Sequence, residues 1–330
     1  MWKGDMTHMK MAILGAGSIA RAMSATINEM DEVTCYAIAS RDYKKAEAFA
    51  KEFGFEKAYG SYEEMLSDPE VNLVYVATPH SHHCEHVKLC LNYGKHVLCE
   101  KAFAINSKQA EEMIALAMKK KLLLTEAIWT RYMPLRKTLA DIIASGIIGN
   151  VSMLTANLGY PINHIPRLIE PSLAGGALLD VGVYPLNFAL MVFGNDIERI
   201  TSTAVITEKG VDSQNSITLI YKDGRVAVLN STMLSQTDRQ GIISGSKGFI
   251  VAENINNCGR IRVYDLNRKE IACYKAPNQI SGYEYEVRAC IRAIEEGKLE
   301  CEEMPHAETI RVMQIMDSLR KEWGVIYPGE

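Results

Sequence analysis

The chain has 330 residues, which is enough for two domains of ordinary size. Hydrophobic residues make up 48% and charged residues 23% of the sequence, a composition typical of globular proteins. The formal net charge of −4 gives no electrostatic footprint for nucleic acid, so we expect no nucleic-acid partner.

The sequence predicts a cytoplasmic protein with no membrane partner. Residues 1–9 are polar and lack the apolar run of a signal peptide. Residues 175–194 are the most apolar stretch, but they include Asp180 and Pro185, so we expect a buried helix and not a membrane span. The eight cysteines form no C-x-x-C pair, which is typical of free thiols in a reducing compartment.

A Gly-x-Gly-x-x-Ala sequence near the N-terminus predicts a dinucleotide site. Apolar residues 11–14 indicate a buried parallel strand, and a helical pattern follows through Met30. Gly15 would permit the tight turn, Gly17 would let the backbone approach a pyrophosphate, and Ala20 would let the helix pack closely on the strand. The N–H groups at the helix start would then face the phosphate anion.

The end of the second predicted strand, residues 33–39, indicates which dinucleotide binds. This position meets the adenosine ribose, and an acidic side chain there favours NAD. Here Ser40 and Arg41 follow the strand, a neutral and a cationic side chain that suit the 2′-phosphate of NADP. The sequence therefore predicts NADP. NAD is the weaker alternative, if Asp42 contacts the ribose and Arg41 is only a solvated charge.

Strands and helices alternate through the first 127 residues, which predicts the doubly wound parallel sheet of a Rossmann domain, an α/β fold. The further predicted strands are residues 73–77, 96–99 and 122–126. The predicted helices are residues 46–53, a short one opened by a capping box at Ser61, 81–93 with Ser81 as N-cap, and 107–121. Ligands of such sheets bind outside the carboxyl ends of the strands.

Residues 128–330 follow a different pattern, which predicts an α+β domain with an open, mostly antiparallel sheet. The predicted strands are residues 152–158, 200–206, 216–221, 225–229, 240–244, 248–252 and 260–264, and Asp223-Gly224 is a strong hairpin signal. The predicted helices are residues 135–145, 181–193, 283–296 and 307–323, of which the last two could pack back on the first domain.

Several motifs, in order, resemble those of the glucose-fructose oxidoreductase/inositol dehydrogenase (Gfo/Idh/MocA) family. The resemblance covers nearly the whole chain and rests on Gly15-Ala16-Gly17, Ala77-Thr78-Pro79-His80-Ser81-His82-His83, Glu100-Lys101, Trp129-Thr130-Arg131 and Gly175 to Pro185. Within the family, the chain is most similar to the dimeric dihydrodiol dehydrogenases and NADP-linked D-xylose dehydrogenases, because Tyr184 stands where many members have histidine.

The resemblance implies an oxidoreductase that moves a hydride between NADP(H) and a CH–OH group of a cyclic sugar or vicinal diol. It implies that Lys101, Asp180 and Tyr184 are catalytic. The implied cofactor contacts are Gly15, Gly17, Ser18, Ile19, Ser40, Arg41, Thr78, His80, His83, Glu100, Lys101, Trp129 and Arg131. Ala102 departs from the family's proline, whose peptide bond is typically cis. We therefore expect a trans Lys101–Ala102 bond, since non-proline residues strongly favour it.

The chemistry explains why these three residue types would act together. A tyrosine hydroxyl titrates near ~10, too high for an efficient base at neutral pH, and a neighbouring ammonium lowers that value. Lys101 is the candidate ammonium, and Asp180 would keep it charged and oriented. Asp180 lies one helical turn before Tyr184, and Pro185 suits the first turn of a helix. The alternative is that Asp180 only caps a helix and Tyr184 is a core aromatic.

Other hypotheses remain open. A Rossmann protein could instead sense NADPH without turnover, or reduce substrates in the manner of biliverdin reductase or opine-type enzymes. His82 and His86 have an i, i+4 spacing that could serve zinc in a hydrolase, but no glutamate has the zincin position. We expect no catalytic metal. We expect the His82 and His86 side chains to lie on a solvated helix face.

The second domain should supply the substrate pocket and a dimer contact. Candidate substrate residues are Tyr160, Asn163, Arg167 and Tyr283. One face of the open sheet should pack on its own helices, which leaves the other face partly apolar and in need of covering. We therefore expect a homodimer through this sheet.

Overall fold

The computed structural model describes residues 8–330, and these divide into two compact units. The first unit contains the described residues up to Ala104, Lys108–Ala127 and Ile280–Thr309. The second contains Ile105–Ser107, Ile128–Gln279 and Ile310–Glu330. The expectation about a signal peptide rests on residues 1–9, and residues 1–7 of these lie outside the described residues.

The first unit is built on a six-stranded parallel sheet, which confirms the predicted Rossmann architecture. Its strands are β1 (Met9–Leu14), β2 (Val33–Ala39), β3 (Lys57–Tyr59), β4 (Leu73–Val76), β5 (His96–Glu100) and β6 (Leu124–Ala127), in the spatial order β3-β2-β1-β4-β5-β6. The helices between them are α1 (Ser18–Ile27), α2 (Tyr43–Phe53), α3 (Tyr62–Ser67), α4 (His83–Asn92) and α5 (Ser107–Lys120). The central strands β1 and β4 are apolar and buried, as the apolar runs predict.

The second unit contains an eight-stranded, mostly antiparallel sheet. Its strands are β7 (Val151–Gly159), β8 (Ile197–Ile206), β9 (Asp212–Tyr221), β10 (Val226–Thr232), β11 (Gly241–Gly245), β12 (Gly248–Ala252), β13 (Arg260–Asp265) and β14 (Glu270–Lys275), in the order β14-β13-β12-β11-β7-β10-β9-β8. The pairing of β7 with β10 is parallel, and the others are antiparallel.

The remaining helices are α6 (Leu135–Ala144), α7 (Pro166–Ile169), α8 (Val183–Phe193), α9 (Glu284–Glu295) and α10 (His306–Trp323). A π-helical turn, Leu178–Gly182, leads directly into α8. By length and composition Pro171–Phe193 could cross a membrane, but 89% of its most apolar window is buried inside the structure. It is the core helical segment expected for residues 175–194.

One local prediction was wrong, and one exposed strand was missed. Ser81 does not cap α4, because residues His80–His82 form a 3₁₀ turn that precedes it, and Ser81 lies inside that turn. Its hydroxyl lies 3.0 Å from His82 Nδ1 instead. Strand β14 was not predicted, because most of its residues are exposed and it pairs only with β13.

One face of the eight-stranded sheet leaves apolar side chains partly exposed. A row of cross-strand neighbours runs over six strands through Ile220, Val226, Met153, Ser244, Phe249 and Tyr264. Met153 is 42% exposed, and the rings of Phe249 and Tyr264 stack with centroids 4.9 Å apart. We call this row the outer sheet face. The alternate residues, such as Leu219 and Leu229, are buried in the core.

Candidate active site

Three strand ends of the first unit surround a cleft of about 190 Å³. Gly15 follows β1 with φ of +104°, and an added Cβ there would lie 3.0 Å from the Ala77 carbonyl oxygen. Gly17 is the N-cap of α1, so the helix begins at Ser18, with Ile19 in its first turn. The first N–H groups of a helix lack intrahelical partners, and this first turn has no acidic side chain. The arrangement can bind an anion.

The same cleft is cationic near the end of β2. It is lined by Ser40 and Arg41, as the sequence predicts, and also by Lys45, which the sequence analysis missed. Asp42 caps α2: its Oδ1 accepts from the backbone N–H of Lys44 at 3.0 Å and from that of Lys45 at 3.4 Å. The carboxylate nearest to the end of β2, that of Asp42, therefore forms hydrogen bonds with the first turn of α2.

The histidine pair does not lie on a solvated face, so that expectation was wrong. His82 and His86 both line the cleft, and their rings stack with centroids 5.6 Å apart. His86 is buried because Tyr62 packs edge-on against its ring at 4.9 Å, and its Nδ1 lies 3.0 Å from Thr78 Oγ1. Burial lowers the pKa of His86 to about 4, so the ring is neutral at pH 7. Among residues 8–330 no group of three His, Cys, Asp or Glu side chains could hold a metal ion.

Lys101 follows β5 at another strand end, beside a buried carboxylate. Tyr75 donates its hydroxyl hydrogen bond to Glu100 Oε1, and Glu100 Oε2 accepts from the Lys101 backbone N–H at 3.2 Å. The Lys101–Ala102 peptide bond is cis, so the expected trans bond was wrong. Ala102 is fully buried, and its carbonyl oxygen lies 2.8 Å from His83 Nδ1.

His83 joins two loops of the predicted cofactor edge. Its Nδ1 faces the Ala102 carbonyl, and its Nε2 lies 2.7 Å from the Thr78 carbonyl oxygen. Desolvation lowers the pKa of this fully buried ring to about 4, although the two carbonyls favour the charged form. At neutral pH the ring therefore carries one proton and donates one of the two bonds. His80, also buried, packs edge-on against it at 5.8 Å.

In the second unit, Asp180 and Tyr184 lie on successive turns of one helical segment. Asp180 is in the π-helical turn, and Tyr184 is the second residue of α8; both are buried. Because the turn is π-helical, their spacing differs from the regular α-turn expected from the sequence. Arg167, predicted as a substrate residue, forms an ion pair with Asp180, with Nη1 3.2 Å from Oδ1.

Three other predicted residues of this unit, Trp129, Arg131 and Tyr160, belong to two polar groups. Trp129 Nε1 donates to Asn256 Oδ1, and Asn256 Nδ2 donates to the Tyr160 hydroxyl at 3.1 Å. Arg131 is buried, and its Nε donates to Asn187 Oδ1 at 2.6 Å. No local pattern in the sequence marks Asn187 or Asn256, which come from distant segments.

Two predicted substrate residues are placed by backbone bonds. The Asn163 N–H donates to the Met233 carbonyl at 3.1 Å in the second unit. The Tyr283 N–H donates to Ser281 Oγ at 3.2 Å in the first unit, just before α9.

The chain belongs to the Gfo/Idh/MocA family of oxidoreductases. Residues 9–128 match the family's NAD-binding Rossmann domain, and residues 137–251 match a C-terminal domain of the same family. These matches agree with the resemblance and with a nicotinamide dinucleotide as cofactor.

Curated relatives match along nearly the whole chain. The chain is 36% identical over 327 residues to a trans-1,2-dihydrobenzene-1,2-diol dehydrogenase of Xenopus tropicalis, covering 97% of this chain and 99% of the relative. It is 33% identical to the human protein of the same name, covering 98% and 99%.

Solved structures share the fold. A 3-ketoreductase from Actinomadura kijaniata, in complex with TDP-benzene and NADP, has a TM-score of 0.84 and 25% identity, covering 95% of this chain and 97% of its own. A levoglucosan dehydrogenase, in complex with NADH and levoglucosan, has a TM-score of 0.84 at 19% identity, covering 96% and 97%.

The His83 contacts predict a stability change with a defined pH dependence. His83→Leu removes the single N–H donor of the ring and should cost about 1–3 kcal/mol at pH 7, because it leaves one buried carbonyl without its hydrogen bond. The wild-type ring, with a pKa of about 4 against 6.5 in the unfolded chain, binds fewer protons when folded. Between these values the unfolded chain binds more protons, so this group's contribution to stability falls as pH falls, by about 3 kcal/mol in total.

Urea denaturation between pH 4 and 7.5 measures both effects. The wild-type protein should lose more stability on acidification than His83→Leu does. The exposed His164→Leu is the matched control and should follow the wild type at every pH. Equal slopes for the wild type and His83→Leu would contradict the prediction.

Proposed function

We propose that the protein is an NADP-dependent dehydrogenase that acts on a CH–OH group of a vicinal diol or cyclic sugar. The similarity to trans-1,2-dihydrobenzene-1,2-diol dehydrogenases along 97% of the chain carries the proposal. In this proposal, residues 1–127 bind the dinucleotide, and residues 128–330 bind the substrate and form a dimer. Eight free cysteines suit a cytoplasmic location.

The cleft of the first unit supports the choice of cofactor. The Gly15–Gly17 turn and the start of α1 would bind the pyrophosphate, and Arg41 and Lys45 would bind the 2′-phosphate. Asp42 is committed to the α2 cap, which leaves no competing carboxylate at the strand tip. Thr78, His80, His83, Glu100, Trp129 and Arg131 remain proposed cofactor contacts.

The bound nicotinamide would supply hydride transfer, and the protein would control the proton. Tyr184 would take the hydroxyl proton during oxidation and return it during reduction. Lys101 would stabilise the phenolate as a nearby ammonium. Asp180 would keep that ammonium charged and oriented, and its ion pair with Arg167 would help keep its own carboxylate ionised.

Replacing Tyr184 tests the proton path. Tyr184→Phe keeps the ring but removes the proton carrier, so kcat should fall by about 10²–10⁴ while NADPH binding stays near normal. Lys101→Met should lose a similar factor, and the double variant little more, since groups acting as a unit are not additive. Steady-state kinetics with a panel of aldoses and diols, and NADPH affinity by fluorescence, measure both quantities.

The outcomes separate the proposed enzyme from its alternatives. A nearly unchanged kcat in Tyr184→Phe, in a chemistry-limited assay, would remove Tyr184 from the mechanism. NADPH binding by the wild type without turnover of any diol, aldose, keto acid or bilin would favour a sensing protein. Turnover of bilins or of amino acid–keto acid pairs would favour the other two kinds of reductase.

Replacing the cleft cations tests cofactor choice. Arg41→Ala and Lys45→Ala should each lower kcat/KM for NADP by about ten- to a hundredfold, since a charge-assisted bond is worth about 1.5–3 kcal/mol. Values for NAD should change little. Lys44→Ala is the matched control, because Lys44 does not line the cleft. A wild-type preference for NAD, or equal losses with both cofactors, would count against the proposal.

The outer sheet face supports a homodimer, because a second copy would cover its partly exposed apolar side chains. Met153→Lys combined with Ile220→Lys should convert a dimer into a monomer, because each lysine would be desolvated in the interface. Light scattering at micromolar concentration measures the mass. Ile326→Lys, at a 74% exposed position outside the sheet, should stay dimeric. A monomeric wild type would overturn this part of the proposal.

A further inference from the structure

A chain of buried polar side chains lies beneath the π-helical turn that carries Asp180. Asp212, the first residue of β9, accepts a hydrogen bond from Asn215 Nδ2 at 2.8 Å. Asn215 Oδ1 in turn accepts from Ser231 Oγ of β10 at 2.8 Å. All three side chains are buried, and we call them the Asp212 chain. The predicted site residues do not include any of them.

The Asp212 chain contacts both ends of the π-helical turn. At the start, Asp212 Oδ2 accepts from the Leu178 backbone N–H at 2.9 Å. At the end, Gly182 lies so close to Ser231 that an added Cβ would be 3.0 Å from its hydroxyl oxygen. Asp180 is the middle residue of this turn, and Tyr184 follows it by four positions.

The backbone before the turn is shaped around the same carboxylate. Gly176 has φ of +118°, and an added Cβ would lie 2.5 Å from Asp212 Oδ1. The Gly175 carbonyl accepts from the Tyr327 hydroxyl at 2.6 Å. The Gly175-Gly176 pair therefore brings the main chain close enough for Asp212 to reach the first N–H of the turn.

Asp212 is an unusual buried acid, because it is fully inaccessible and no lysine or arginine within residues 8–330 forms a hydrogen bond or ion pair with it. The charged and titratable groups that act on it are Arg320 and Tyr327, and Oδ1 has no hydrogen-bond partner within residues 8–330. Burial raises the pKa of Asp212 to about 6, so the carboxylate is mostly ionised at pH 7. Keeping a costly buried charge at a helix start is consistent with a role there.

We propose that Asp212 is a positioning residue for Asp180 and Tyr184, which it acts on through its hydrogen bond to the Leu178 N–H. The inference rests on the proposed function, because it assigns those two residues to the proton path. The carboxylate fixes the first residue of the π-helical turn, and Ser231 limits the last. Together they set the rotation of the helical segment from which both side chains project.

Two variants test the proposal by kinetics. In Asp212→Ala, kcat should fall by about ten- to a hundredfold, as expected for a small misplacement of reacting groups, with NADPH affinity within about twofold of wild type. Asp212→Asn keeps an oxygen acceptor and should therefore recover much of this loss. The recovery should be incomplete, because a neutral amide accepts a weaker hydrogen bond than a carboxylate. If Asp212→Ala does not fold, Asp212→Asn carries the comparison alone.

Leu219→Ala is the matched control for lost stability. Leu219 is buried on the same strand and faces the core, so its truncation should lower the melting temperature without lowering kcat. A kcat loss in the Asp212 variants no greater than that in Leu219→Ala, or a wild-type kcat in every folded Asp212 variant, would overturn the positioning role.

Hydrogen exchange distinguishes this inference from the proposed function. In Asp212→Ala without substrate, amide exchange at Leu178 should accelerate at least about tenfold relative to Leu190 in α8, since the protecting bond is gone. If the wild type turns over no substrate, the proposed function fails. Unchanged exchange at Leu178 would then overturn the structural basis of the inference as well, and faster exchange would support that basis.

Discussion

The geometry of the first unit depends on the close approach of three strand ends around Gly15. The Gly15 N–H donates to the Ala39 carbonyl at 3.0 Å, and the Ala77 N–H donates to the Leu14 carbonyl at 3.0 Å. Gly15 itself turns where a Cβ would press on the Ala77 oxygen. Backbone contacts alone therefore fix the start of α1 against β2 and β4. Any side chain at this point would move the helix terminus and with it the anion-binding N–H groups.

In the second unit, a side chain and not the backbone of neighbouring strands fixes the start of the π-helical turn. This turn follows no parallel strand whose neighbours could fix it. The bonds at its start are those of the Leu178 N–H to Asp212 and of the Asp180 N–H to the Gly176 carbonyl. Burying a carboxylate costs more solvation free energy than burying a backbone carbonyl, so the contact of Asp212 with the turn lowers the stability of the fold by that difference. The Asp212 carboxylate fixes a turn whose geometry regular α-helical hydrogen bonding does not specify.

Local sequence patterns predicted the elements that have local causes. Apolar runs gave the parallel strands, and the residues Ser61 and Glu64 form the predicted cap, with Ser61 Oγ accepting from the Glu64 N–H at 3.1 Å. The errors have non-local causes. His86 is buried because Tyr62, 24 positions earlier, packs on it. The proposed role of Asp212, which the sequence analysis missed, likewise depends on partners that no spacing rule connects.

The position of Asp42 affects both the stability of α2 and the charge of the cleft. An acid at the strand tip would contact a ribose, but β2 ends at Ala39, and the acid stands three residues later at the N-cap of α2. There its Oδ1 accepts two backbone N–H groups that would otherwise lack partners, an arrangement worth about 1 kcal/mol to a helix. The same displacement leaves Ser40, Arg41 and Lys45 facing the cleft without an opposing carboxylate at the tip. The stability of α2 and the positive charge of the cleft thus have a common origin in the position of Asp42, which supports the proposed preference for NADP.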